Sequence, residues 1–128
     1  MVRQTTARRP QLIRDMVQLL LRLVASPGRV LDIVDALRVV MRPAQQARGC
    51  SFAGIHLSAI DSRRILYVEE WDDACELRAE FGTERFHRML ELLEMAADPP
   101  VVEFRVVSKT HGLEYISHQR RNKELDLA

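Results

Sequence analysis

Val17-Gln18-Leu19-Leu20-Leu21-Arg22-Leu23-Val24, followed by Ala25 and the break Ser26-Pro27-Gly28, decides the fold of this 128-residue chain. Val17, Leu19, Leu21 and Leu23 fall on one side of an extended ribbon, and Gln18, Leu20, Arg22 and Val24 on the other. A period of two with one wholly apolar side suggests a strand. A leucine-rich run also fits a buried helix. The Ser-Pro-Gly break favours a strand that ends in a turn.

Beyond that turn the period changes. Val30, Ile33, Val34, Leu37, Val40 and Met41 recur at helical spacing, with Asp32, Asp35, Arg38 and Arg42 on the other faces. Pro43 can kink this helix, and Gly49 marks the far end of the connection. Residues 50–60 suggest a second strand, 61–64 a turn, and 65–71 a third strand, together an antiparallel hairpin. Asp72 or Asp73 can cap a short helix running to Phe81. Gly82 interrupts, Thr83 can cap again, and 84–96 form a further helix with Phe86, Met89, Leu90 and Leu93 on one face. Asp98-Pro99-Pro100 is a hard stop. Residues 101–108 alternate as a fourth strand. Gly112 marks a turn before 113–116, a short final strand at most, and the polar last dozen residues are a mobile or helical end.

This order is the split β-α-β arrangement of an α+β, ferredoxin-like fold: a four-stranded antiparallel sheet with helices on one face. The uncovered face would carry Phe52, Leu66 and Val68 or their alternates. A second copy of the sheet is its simplest cover, which makes a homodimer and a shared barrel the expected assembly.

Composition excludes several function classes. Net charge is +1, and the basic residues cluster only at the ends, in Arg3, Arg8, Arg9 and Arg14 and in Arg120, Arg121 and Lys123. That is no basic stripe for nucleic acid. The most apolar early stretch, 16–25, is too short to span a bilayer and is broken by Arg22, so no membrane partner is expected. No secretory leader is visible, and a cytoplasmic location follows by default. Cys50 and Cys75 lack metal-ligand spacing and are expected as free thiols. The four histidines form no His-x-His or His-x-x-x-His pair. There is no glycine-rich phosphate loop and no serine elbow, so no nucleotide cofactor is expected.

Several pieces resemble the antibiotic-biosynthesis-monooxygenase family in order and spacing. They are Ser26-Pro27-Gly28-Arg29, Ala47-Arg48-Gly49-Cys50, Leu66-Tyr67-Val68-Glu69-Glu70-Trp71, Phe86-His87-Arg88-Met89-Leu90 and Asp98-Pro99-Pro100. The resemblance covers roughly 16–110, leaving 1–15 as an N-terminal tail and 111–128 as a C-terminal extension. It implies a dimeric α/β barrel with a pocket between sheet and helices. It also implies, for some members, oxygenation of polycyclic aromatics or quinols without metal or flavin. The chain departs from the family at Glu80, where many members carry a histidine, and Thr83 stands where a serine is common. Strand one has no asparagine and His87 lies on a different helical face from a haem ligand, so haem degradation is disfavoured.

The candidate catalytic residues are His56, Glu69 and Trp71, and Tyr67, Trp71, Phe86 and Phe52 are candidates for holding a small apolar or aromatic molecule. Trp71 would wall a planar substrate, or serve as a core aromatic with its indole N–H satisfied. Glu69 shares a strand face with Tyr67 and Trp71 and would accept a proton, or else form a salt bridge. His56 would take the proton from a phenol, or stand at a barrel edge. His87, His111 and His118 fit the surface, and the two cysteines fit small hydrophobes. Two main readings follow: a cofactor-independent monooxygenase, or a non-catalytic dimeric module binding a small ligand. A closed cavity with a polar floor favours the first, and a filled interior the second. Docking arms at the two ends are a third.

Overall fold

The computed structural model describes residues 14–127. The expected loose tail at 1–10 with its lead-in through Ile13 lies outside them. The elements are β1 (Met16–Val24), α1 (Val30–Gln46), β2 (Cys50–Leu57), β3 (Arg64–Trp71), α2 (Ala74–Arg78), α3 (Glu84–Leu92) with a 3-10 turn at Leu93–Met95, β4 (Val101–Val107) and α4 (Glu114–Leu127). The sheet order is β2-β3-β1-β4 with every pair antiparallel, the ferredoxin-like topology.

The strand reading of the Leu19–Leu23 region holds, because its odd positions have a helical layer to bury against. Val17, Leu19, Leu21 and Leu23 pack with Ile33, Val34, Leu37 and Val40 of α1 and with Phe86, Met89 and Leu92 of α3. Full burial of each such side chain contributes roughly 1.5–3 kcal/mol. β1 is central, so both its edges are paired and its leucines are sealed.

Turns and caps place these layers. Gly28 (φ +81°) turns the chain from β1 into α1, and Arg29 N donates to Ser26 O at 3.0 Å. Gly49 (φ +89°) leads into β2, and its carbonyl accepts from Asp72 N at 2.7 Å. A Cβ on Gly49 would lie 2.7 Å from Glu76 Cγ, so both backbone and space require glycine. Asp73 caps α2 by accepting from Glu76 N at 3.0 Å, and Thr83 caps α3 by accepting from Phe86 N at 3.4 Å. α1 runs through Pro43 to Gln46.

Three local expectations need correction. The later helix is α-helical only to Leu92 and then tightens to the 3-10 turn. Its buried face is Arg85, Phe86, Met89 and Leu92, while Leu90 is exposed, because α1 sits against the 85–89–92 ridge. The segment 113–116 is not a strand: Glu114 opens α4, and its carboxylate accepts from Gly112 N at 3.0 Å. The start of α4 leaves Leu113, Tyr115 and Ile116 exposed.

One irregularity sets the faces of the hairpin. The β2–β3 register shifts between Cys50 and Phe52, so Cys50 stands opposite Trp71 and Phe52 opposite Glu70. Beyond the bulge Ala53 and Ile55 turn to the helices, and Phe52, Gly54 and His56 to the helix-free face.

That face is amphipathic rather than wholly apolar. Leu20, Val68, Leu66 and Phe52 form its apolar part. Gln18 donates to Glu70 at 2.8 Å, and Glu103 accepts from both Arg22 and Arg105. On the helix side of the edge strand β4, Val102, Phe104 and Val106 are exposed, so the helical cover stops short of that edge.

Candidate functional site

The candidates divide between the two faces of the sheet. Tyr67, Glu69 and Trp71 alternate along β3 and point to the helices, all fully buried. Glu69 is a carboxylate in an apolar core, and such a group survives only with partners. Arg85 of α3 supplies the main one: its Nη1 lies 2.5 Å from Glu69 Oε2 and its Nη2 3.4 Å from Oε1. Tyr67 OH donates to Oε2 at 2.5 Å, and Trp71 Nε1 donates to Oε1 at 3.0 Å. Arg85 Nε also donates to Glu80 Oε1 at 3.1 Å, and its Nη1 to Val40 O at 3.4 Å. Among the described residues no buried side-chain nitrogen or oxygen lacks a partner.

This constellation is a saturated polar core. Burial, then the nearby Glu69 charge and its hydrogen bond, push the Tyr67 hydroxyl far above the usual tyrosine range. Burial works against the Arg85 charge, and the Glu69 bonds outweigh it, so its protonated form is strengthened. The salt-bridge alternative for Glu69 and the satisfied-indole alternative for Trp71 describe this geometry. The expected pocket between sheet and helices is filled around Glu69 by its own donors. Phe86 is buried beside them, its ring 4.9 Å from that of Phe81, which in turn meets Phe104 at 5.8 Å. Glu80, at the family's histidine position, is the second carboxylate on Arg85, and Thr83 Oγ1 donates to the Glu80 carbonyl at 2.7 Å. The sequence reading passed over Arg85. Its signal was available: Arg85 shares a helical face with Met89, and an interior Glu69 demands a cation.

His56 and Phe52 lie on the other face. Their rings stack with centroids 6.1 Å apart, and His56 is exposed. The register sets His56 opposite Leu66, Leu66 opposite Arg22 and Arg22 opposite Val101, one row across four strands. At the end of the sheet beside that row is a cleft of about 600 Å³, lined by His56, Arg22, Arg64, Leu66, Val101 and neighbouring residues. The volume lies within the range of small-molecule sites. Arg22 and Arg64 were also passed over in sequence, because two arginines on separate strands show no spacing until the register is known.

The remaining candidates stay apart. His87 pairs with Glu91 across one helical turn at 3.5 Å, and His111 stacks on Tyr115. Cys50 and Cys75 are free thiols, and burial raises the Cys50 thiol, which makes it a poor nucleophile. Among the described residues no three His, Cys, Asp or Glu side chains converge as a metal site requires, and no helix is long and apolar enough to cross a membrane.

The chain matches no family model and no curated protein. Solved structures share its fold. One named antibiotic biosynthesis monooxygenase superposes with a TM-score of 0.62 at 14% identity, over 75% of this chain and 99% of that one. A Pseudomonas aeruginosa protein gives 0.64 at 22% identity, over 77% and 98%. A Mycobacterium tuberculosis protein gives 0.63 at 16%, over 77% and 98%. The chain thus has the fold of the antibiotic-biosynthesis-monooxygenase structures, as its motif order implied, and identities this low speak to fold alone.

Proposed function

We propose that this protein is a cofactor-independent monooxygenase acting on a small aromatic or quinol-type substrate, with His56 as the base and the open-face cleft as the site. The observation that carries the reading is the contrast between the two candidate bases. Both Glu69 oxygens are occupied by buried donors, whereas the His56 imidazole is exposed on the wall of a cleft large enough for one ring. The shared fold with a named monooxygenase supports the reaction class.

In this reading an imidazole nitrogen of His56 accepts the proton of a ring hydroxyl. The phenolate raises electron density at the neighbouring ring carbon, which bonds to one oxygen atom of O2 and yields a hydroperoxide. Cleavage of the O–O bond leaves a carbonyl on the ring and releases water. Hydroquinone and O2 thereby give hydroxyquinone and water, with the quinol supplying all the electrons. Phe52 and Leu66 offer apolar surface that holds the ring and displaces water. Trp71, Tyr67 and Glu69 keep β3 in place. The working unit is a homodimer whose helix-free faces meet over the middle of the sheet, around Leu20 and Val68, and leave the cleft at its end open. The free thiols fit a reducing, cytoplasmic setting.

Incubation with hydroquinones under 18O2 tests the reaction. One labelled atom in the product and one in water support it; unlabelled product, or no product from any member of a quinol panel, refutes it. The saturated Glu69 core favours the second reading, a ligand-binding module without turnover. That reading expects binding in the same cleft with no oxygen uptake.

A further inference from the structure

The cleft carries a charge arrangement that a neutral quinol leaves unused. In the cross-strand row, Leu66 lies between His56 and Arg22, which are two strand spacings or roughly 10 Å apart at the backbone. Arg64, opposite Val24, is the diagonal neighbour of Arg22 on the same face. Both arginines line the cleft, and Asp98 is the single acidic residue doing so among the described residues. Each arginine is only partly engaged. Arg22 bonds Glu103 through Nη1, and Arg64 bonds Asp61 through Nε at 3.2 Å. Each five-donor fork therefore keeps N–H groups without a partner among the described residues. The two side chains are 45% and 66% exposed, so a ligand reaches them without displacing the core.

We infer that the cleft takes a hydroxylated aromatic carboxylate. The ring lies over Leu66, the hydroxyl meets His56, and the carboxylate meets Arg22 and Arg64. A planar two-oxygen anion matches the guanidinium fork, which a lone hydroxyl does not. This inference rests on His56 being the base and narrows the substrate of that same site.

Calorimetric titration of the full chain under nitrogen tests it with two probes that differ by one carboxylate, 2,5-dihydroxybenzoate and hydroquinone. The carboxylate is expected to bind about tenfold or more tightly, the worth of one charge-assisted fork. Arg22→Gln should abolish most of that preference, Arg64→Gln should reduce it, and Arg22→Lys should keep part of it, all without change in unfolding temperature. Equal affinities, no binding of either probe, or a preference surviving the Arg22→Gln/Arg64→Gln pair would overturn the inference. Turnover is scored separately in air. Selective binding of 2,5-dihydroxybenzoate without oxygen uptake keeps the anion site and defeats the oxygenase reading. Oxidation of both probes with no carboxylate preference does the reverse.

Discussion

Arg85 reaches from α3 to Glu69 on β3, Nη1 to Oε2 at 2.5 Å, with the two side chains 5% and 0% exposed. Such a pair gains strong attraction and loses two hydration shells, so its net contribution is small while either half alone is costly. Glu69→Gln and Arg85→Met should each destabilise the fold by about 3–5 kcal/mol. A Glu69→Gln/Arg85→Met double variant should lose much less than the sum of its single changes. Urea unfolding of the four proteins measures this, and strict additivity would show that the two charges do not depend on each other.

Tyr67 gives the pH signature of the same cluster. Its folded-state value is raised above the ordinary 10.0, by burial first and then by Glu69. Above pH 10 the unfolded chain releases this proton while the folded chain keeps it. The stabilisation is therefore complete below pH 10 and is lost as pH rises, at about 1.4 kcal/mol per pH unit from this one group. Tyr67→Phe should remove that increment of the alkaline slope. Thermal melts between pH 9 and 11.5 compare the two proteins, and identical slopes would count against a buried, protonated Tyr67.

Gly49 joins two constraints at the start of β2, a positive φ and the side chain of Glu76. Gly49→Ala should cost roughly 1–2 kcal/mol for the left-handed backbone alone, plus a steric part. Glu76→Ala in the same chain should recover only some of the steric part, because Glu76 Cβ, 2.8 Å from the added Cβ, stays. Full recovery would mean that the backbone conformation carries no strain.

The helix-free face predicts self-association. Phe52 and Val101 are 43% and 46% exposed there, beside half-buried Leu66. Sedimentation should give twice the chain mass at micromolar concentration, and Val68→Arg, on the same face but outside the cleft, should return it to the chain mass. A monomer at roughly a hundred times that concentration would leave the barrel without support.

The fold was legible because its signals are local. β1 announces itself by alternation, α1 by its helical period, and the two helix caps by Asp73 and Thr83. The division of the candidate site was not legible, because it depends on register. His56 and Glu69 fall on opposite faces: His56 pairs with Leu66, Glu69 with Ala53, and the shift at Cys50/Phe52 helps set which face Phe52 takes. A one-residue slip would have turned His56 to the face that carries Glu69. Alternation within a strand groups Tyr67, Glu69 and Trp71 correctly. It cannot say what stands across the sheet or which helix supplies the counter-charge.

In the proposed reaction His56 does the chemistry and the Glu69 cluster holds the fold. Oxygen-electrode kinetics with hydroquinone, paired with melting curves, separate the two roles. His56→Ala should lower kcat by about a hundredfold or more at an unchanged melting temperature. Tyr67→Phe should lower the melting temperature and leave kcat nearly intact. A His56→Ala protein that turns over normally, or a Tyr67→Phe protein that folds well and is inactive, would contradict the claim.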